Sequence, residues 1–166
     1  MTAMPSSSRE HDHHYETSIT WTGNTGEGTK SLRSYEKSYD IEVPGKPVIA
    51  GSSDPAFRGD PTRYNPEDLL VASLSACHML WYLSLSAKAK IVVTSYVDRA
   101  DGTMVEDESG SGHFSQVVLR PEITVAFGTD LDRAHALHHD AHAMCFVANS
   151  VNFPVTAEPI FTLEDE

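Results

Sequence analysis

One segment departs from the alternation of apolar and polar positions seen elsewhere in the chain. From Leu69 to Ala87 (LLVASLSACHMLWYLSLSA) no residue carries a formal charge, and apolar side chains fall on every face of a helix. A helix that is apolar all round must be covered all round, so this segment is expected to form the centre of the fold. Its start is strongly signalled. Asn65 suits an N-cap, Pro66 suits the first helical position, and Glu67 and Asp68 put negative charge at the positive end of the helix dipole. The run is almost long enough to cross a bilayer. However, Ser73, Ser75, His78, Ser84 and Ser86 interrupt it and no second span or basic flank accompanies it. The pattern therefore favours a core helix over a transmembrane one.

The remaining segments read as strands, loops and one further helix. Met1 to Tyr15 is polar and Ser-rich, without aliphatic periodicity, and is expected to be a mobile arm ahead of a single domain from residue 16 to residue 166. Ser18–Thr22 and Ser31–Val43 read as two strands joined by a glycine-rich turn. No helix follows those glycines, so the turn lacks the context of a phosphate-cradling loop. Residues 44–64 carry four prolines and three glycines and are expected to be irregular, and irregular loops of that length are usually functional. Beyond the central helix, residues 91–97, 113–119 and 122–127 read as an antiparallel meander, with 100–112 as a turn. A second helix is expected from Leu131 to about Ala148 and a final strand over 155–163. The order β-β-α-β-β-β-α-β predicts an α+β fold in which an antiparallel sheet covers the long helix.

Composition narrows the partners. The 166 residues include 24 acidic and 12 basic ones, a formal charge of −12, which repels nucleic acid and anionic membrane surfaces. No N-terminal stretch joins a basic start to an apolar run, and two cysteines do not make a disulfide scaffold, so a cytosolic location is expected.

The candidate chemistry lies with those two cysteines, Cys77 in the central helix and Cys145 near the end of the second. A lone thiol in an apolar helix is most often an inert core residue. Two thiols meet the minimum for peroxide reduction, in which one attacks the O–O bond and the other captures the resulting sulfenic acid as a disulfide. A buried thiolate needs a cation, and Arg58 and Arg63 in the loop before the helix are candidates. The side chains of Met79, Leu80 and Trp81 beside Cys77, with Leu74, Met144 and Phe146, predict an apolar pocket. A competing assignment uses His138, His142 and Cys145, spaced i, i+4, i+7, together with Cys77 as four ligands of a metal or small-ligand site. The His11, His13, His14 cluster could also bind a metal, although a histidine-bearing tail explains it as well.

NPEDLLVASLSAC, with the second cysteine in AHAMCFVANSVNFPV, resembles the osmotically inducible protein C and organic hydroperoxide resistance (OsmC/Ohr) superfamily, over roughly Trp21 to the C-terminus. That resemblance implies an intertwined homodimer whose long helices are wrapped by antiparallel sheets, and a thiol-dependent peroxidase acting on organic hydroperoxides without a bound cofactor. It implies Cys77 as the peroxide-attacking cysteine, Cys145 as the resolving cysteine and Glu67 as the carboxylate that positions the active-site arginine. By spacing it favours Arg58, seven residues before Asn65, over Arg63, two before. An external dithiol of the lipoyl type, or a lipoylated protein, is the implied reductant. Phe146 stands where many hydroperoxide-specific members have proline, and His78 and Trp81 sit close to Cys77, so this chain looks like a distinct subgroup.

Overall fold

The computed structural model describes residues 12–166, and residues 1–11 of the expected arm, with His11, lie outside the described residues. Asp12 to Tyr15 are exposed and without regular structure. The chain forms two compact units, Met1–Pro66 and Glu67–Glu166.

In the first unit three short antiparallel strands, β1 (Ser18–Trp21), β2 (Tyr39–Glu42) and β3 (Ile49–Gly51), lie in sequence order. The second strand is much shorter than the expected 31–43. Ser31 to Ser34 instead close a turn, in which Ser34 Oγ donates to the carbonyls of Gly28 and Ser31. Serine hydroxyls that satisfy nearby backbone groups compete with strand pairing in this way. The glycine turn is held by Asn24 Oδ1, which accepts from the amides of Gly26 and Gly28 at 2.9 and 3.1 Å. The segment expected to be irregular holds β3 and a single 3-10 turn, Pro55–Phe57.

The second unit is built on α1 (Pro66–Lys88), which starts where the sequence predicts. Among the described helices only α1 is long and apolar enough to cross a membrane, yet it is the spine of this unit's core. Within one chain its fully buried positions are Leu74, His78, Tyr82 and Ser86, a single stripe at i+4 spacing. The expected all-round burial is therefore not met by the chain's own strands, and Leu80 is 62% exposed.

The strands are β4 (Val93–Asp98), β5 (Asp101–Glu106), β6 (Gly112–Leu119), β7 (Pro121–Val125), β8 (Val155–Ala157) and β9 (Ile160–Leu163). Two expectations are corrected here. The stretch read as a turn, 100–112, contains β5, and only Asp107–Ser111 turns, with Asp107 Oδ1 accepting from Ser109 and Ser111. The final strand is broken at Glu158–Pro159, because proline cannot donate to a ladder.

The resulting sheets, β4-β7-β9 and β5-β6-β8, are mixed, not antiparallel, since β8 runs parallel to β6 and β9 parallel to β7. The connection through α2 (Leu131–Met144) lets the chain return in the parallel sense, since parallel strands cannot be joined by a tight hairpin. The breaks between β4 and β5, between β6 and β7 and between β8 and β9 are tied together by side chains. There Asp98 accepts from the Arg120 amide, and the Arg120 guanidinium pairs with Asp101 at 3.4 Å and Glu158 at 3.5 Å.

Two apolar clusters fill the unit, one around Tyr82, Ile123 and Val125, the other around Leu74, Val117 and Leu119. Asp130 caps α2 by accepting from the Arg133 amide at 3.1 Å. The helix ends at Met144, four residues short of expectation, because Cys145 takes an extended backbone. Its carbonyl accepts from the Asn149 amide, while Asn149 Nδ2 donates to Ala143.

Candidate active site

The single helix α1 presents two adjacent rows. Leu74, His78, Tyr82 and Ser86 form the buried one. Cys77 and Trp81, one residue behind His78 and Tyr82, are turned by about 100° and form the second. Cys77 is half-buried and Cys145 fully buried, and both thiols are free. They are neighbours. Burial pushes the Cys145 thiol up, a hydrogen bond to Cys77 and repulsion from it push it further, and the Ala148 amide, which donates to Cys145 Sγ at 3.4 Å, opposes the rise. Cys145 is thus held as a neutral S–H next to the more accessible sulfur, the arrangement expected of a thiol that waits while its neighbour reacts.

The rings of Trp81, one turn after Cys77, and Phe146, directly after Cys145, meet edge to face at 5.8 Å. Phe146 is 63% exposed. Leu80, three residues after Cys77, lies on the cysteine's side of α1, whereas Met79, about 200° round the helix, lies on the opposite side.

Glu67 heads the same helix with Oε2 buried and, among the described residues, without a hydrogen-bond partner. Because α1 is continuous, the ten residues from Glu67 to Cys77 span about 15 Å along the axis, so this carboxylate cannot serve its own chain's thiol. Both candidate arginines belong to the first unit. Arg58 is exposed, has a left-handed backbone (φ 66°), and donates from Nη1 to the Leu32 carbonyl. Arg63 pairs with Asp40 at 3.6 Å and Asp60 at 3.7 Å.

The histidines are arranged otherwise than a metal site requires. His138 is not grouped with His142 and Cys145. It shares a 2.9 Å hydrogen bond with His78, Nε2 of one to Nδ1 of the other, inside the core. Among the described residues no three His, Cys, Asp or Glu side chains are placed to hold a metal ion. This pair escaped sequence reading, although half of its signal was present: His78 lies between Leu74 and Tyr82 at i±4 on α1.

Burial and the nearby His142 lower the His78 pKa, opposed by Asp98. Burial, His78 and His135 lower that of His138 to about 3. Groups whose folded pKa lies below the unfolded 6.5 stabilise the fold fully above pH 6.5, and this contribution is lost as pH falls towards the folded values. Stability measured by urea unfolding is therefore expected to drop below pH 6.5, by at most about 1.4 kcal/mol per pH unit for each ring. A His78→Leu/His138→Leu variant should lose less over the same range. Equal slopes would contradict this account.

Residues 59–159, more than half of the chain, match the family model described as OsmC-like protein. The chain belongs to the OsmC-like family. Its fold agrees with that of an OsmC-like protein of unknown function from Vibrio cholerae, 32% identical, with a TM-score of 0.81 over 90% of this chain and 100% of that one. An organic hydroperoxide resistance protein from Elizabethkingia anophelis shares the fold at 19% identity, with a TM-score of 0.65 over 93% and 100% of the two chains. An organic hydroperoxide resistance protein OsmC from Legionella pneumophila does so at 16%, with a TM-score of 0.61 over 91% and 99%. No curated protein matches the chain. The OsmC-like match includes Arg58's neighbour Gly59, Glu67 and both cysteines, and begins one residue after Arg58 itself.

Proposed function

We propose that this OsmC-like protein is a thiol-dependent peroxidase that reduces organic hydroperoxides in the cytosol and so serves peroxide resistance. The observation that carries the reading is the direct pairing of two free thiols from separate elements, the accessible Cys77 and the enclosed, protonated Cys145. Cys77 thiolate attacks the distal oxygen of ROOH, the O–O bond breaks, and with one proton taken up the products are Cys77 sulfenic acid and ROH. Cys145, after giving up its proton, attacks the sulfenic sulfur, and water leaves as the disulfide forms. An external dithiol, for which a lipoyl group or a lipoylated protein is our candidate, returns two electrons and two protons and is itself oxidised to a disulfide.

A thiolate midway along a helix gains little from the helix dipole, which fades beyond the first turn, so a cation is needed. Arg58 is our candidate, oriented by Glu67, and Glu67's buried oxygen, without a hydrogen-bond partner among the described residues, supports a partner supplied from a second chain. We take the working form to be a homodimer.

The substrate's tail would meet the apolar surface of Leu80, Trp81 and Phe146. The test is dithiol-dependent turnover with cumene hydroperoxide against hydrogen peroxide. A phenyl-bearing tail that buries about 100 Å² of apolar area is favoured by about 2.5 kcal/mol, or roughly 70-fold in kcat/KM. Equal rates would reduce Trp81 and Phe146 to packing residues, and no turnover with either would overturn the peroxidase reading.

A further inference from the structure

We propose that His78 and His138 are positioning residues, whose mutual hydrogen bond sets the spacing and rotation of α1 against α2 at which the Cys77 and Cys145 sulfurs meet. The inference rests on the thiol-pair reading above and adds residues to which that reading gives no part.

His78 directly follows Cys77 on α1, and His138 lies two turns before Cys145, so one 2.9 Å contact fixes both cysteine-bearing backbones near the thiols. A second tie lies one turn further along α1. The Tyr82 ring stacks on His138 at 4.1 Å and 15°, and its hydroxyl donates to the Ala134 carbonyl at 3.2 Å. Phe161 of β9 also packs against His138, edge to face at 5.9 Å.

Apolar side chains could fill this volume, but they would be tolerant of rotation about the helix axis. A nitrogen-to-nitrogen bond is directional and is made at one register only. The arrangement needs both rings neutral, one donating and one accepting. The groups that face them are His135 and His142 of α2, Tyr82 of α1 and Asp98 of β4, and of these only Asp98 favours a charged ring. Among the described residues His138 Nε2 has no hydrogen-bond partner, so no second hydrogen bond competes with His78 for this ring.

The test reads the Cys77–Cys145 disulfide, not hydroperoxide turnover. The protein is equilibrated with reduced and oxidised glutathione, in which two glutathiones give two electrons and two protons to the protein disulfide and leave as glutathione disulfide. The equilibrium constant reports how well the two sulfurs are held together. Gln places its amide where an imidazole Nε2 would be, and Asn places its amide short of it. His78→Gln should therefore stay within about twofold of the native constant, while His78→Asn should lose about tenfold or more, since displacement of about 1 Å costs a positioned reaction up to 10²-fold.

The two variants are equally polar, so a purely structural role would move them together. Equal constants for His78→Gln and His78→Asn would overturn the proposal. So would a His78→Leu/His138→Leu protein that keeps both its circular dichroism and the native constant. Failure of the native protein to reduce cumene hydroperoxide, with the Gln and Asn variants still separated, would sink the peroxidase reading alone.

Discussion

Replacing Cys77 by serine is expected to lower dithiol-dependent turnover of an alkyl hydroperoxide by about 10⁴-fold or more, the scale on which removal of a nucleophile is felt, while leaving the fold intact. The sulfur is half-buried, and oxygen in its place is smaller and no less polar, so circular dichroism and the unfolding midpoint should hardly move. Cys145→Ser should behave differently. Its Cys77 remains able to react once, but nothing captures the sulfenic acid, so turnover halts after one equivalent and excess peroxide carries Cys77 on to the sulfinic acid. Mass spectrometry distinguishes the outcomes: the native protein loses two hydrogens on oxidation, whereas Cys145→Ser gains oxygen. Appreciable multiple turnover in Cys77→Ser would remove the basis for assigning chemistry to this pair. Because Cys145 is itself buried, its serine should also cost some stability, through a hydroxyl placed where a thiol made only weak hydrogen bonds.

The second large effect concerns assembly. With α1 continuous, the distance between Glu67 and Cys77 along one helix leaves the carboxylate without a role at its own thiol, and Glu67 Oε2 is buried without a hydrogen-bond partner among the described residues. A two-fold dimer resolves both observations and would also cover the flank of α1 that the chain's own strands leave open around Leu80. Cys77→Ser and Glu67→Ala chains should each be inactive alone. Mixed at random, they should regain about a quarter of native activity, because half of the dimers are mixed and each of those carries one intact site. Light scattering should find a dimer whose unfolding midpoint rises with protein concentration. An active monomer, or mixed dimers without rescue although both chains dimerise, would rule out the shared site.

What could be read from the sequence, and what could not, follows from the range of the interactions involved. The start of α1 was legible because its signals, Asn65-Pro66-Glu67-Asp68, are local and agree with one another. The two cysteines were legible as a pair because the chain has no others. Strand β5 was not, since Asp101, Gly102 and the acidic residues near it carry turn chemistry. The strand exists because its partner β6 supplies the ladder, and because Gly102 leaves room beside Val71 and Phe114, where a Cβ would come within 2.6 Å of Val71. Parallel pairing of the last strands was equally hidden, as direction is set by where the α2 crossover returns the chain. The histidine pair shows the limit most plainly. Helical spacing places His138, His142 and Cys145 on one face, but which of them turns inward depends on the ring that waits on α1, sixty positions away.

The pairing of β8 and β9 with β6 and β7 also bears on the early life of each molecule. The loop that carries Cys145 is secured on its far side by Val155 of β8 against Val117 of β6, a closure over a long stretch of chain and therefore a late event in folding. A ribosome releases Cys77 well before the residues that clamp Cys145 beside it. If Cys77 and Cys145 act as proposed, a newly made chain holds an attacking sulfur without its rescuer until those last strands dock. On that proposal the cost of oxidative stress falls on chains still being synthesised, in which Cys145 is not yet placed to capture the sulfenic acid.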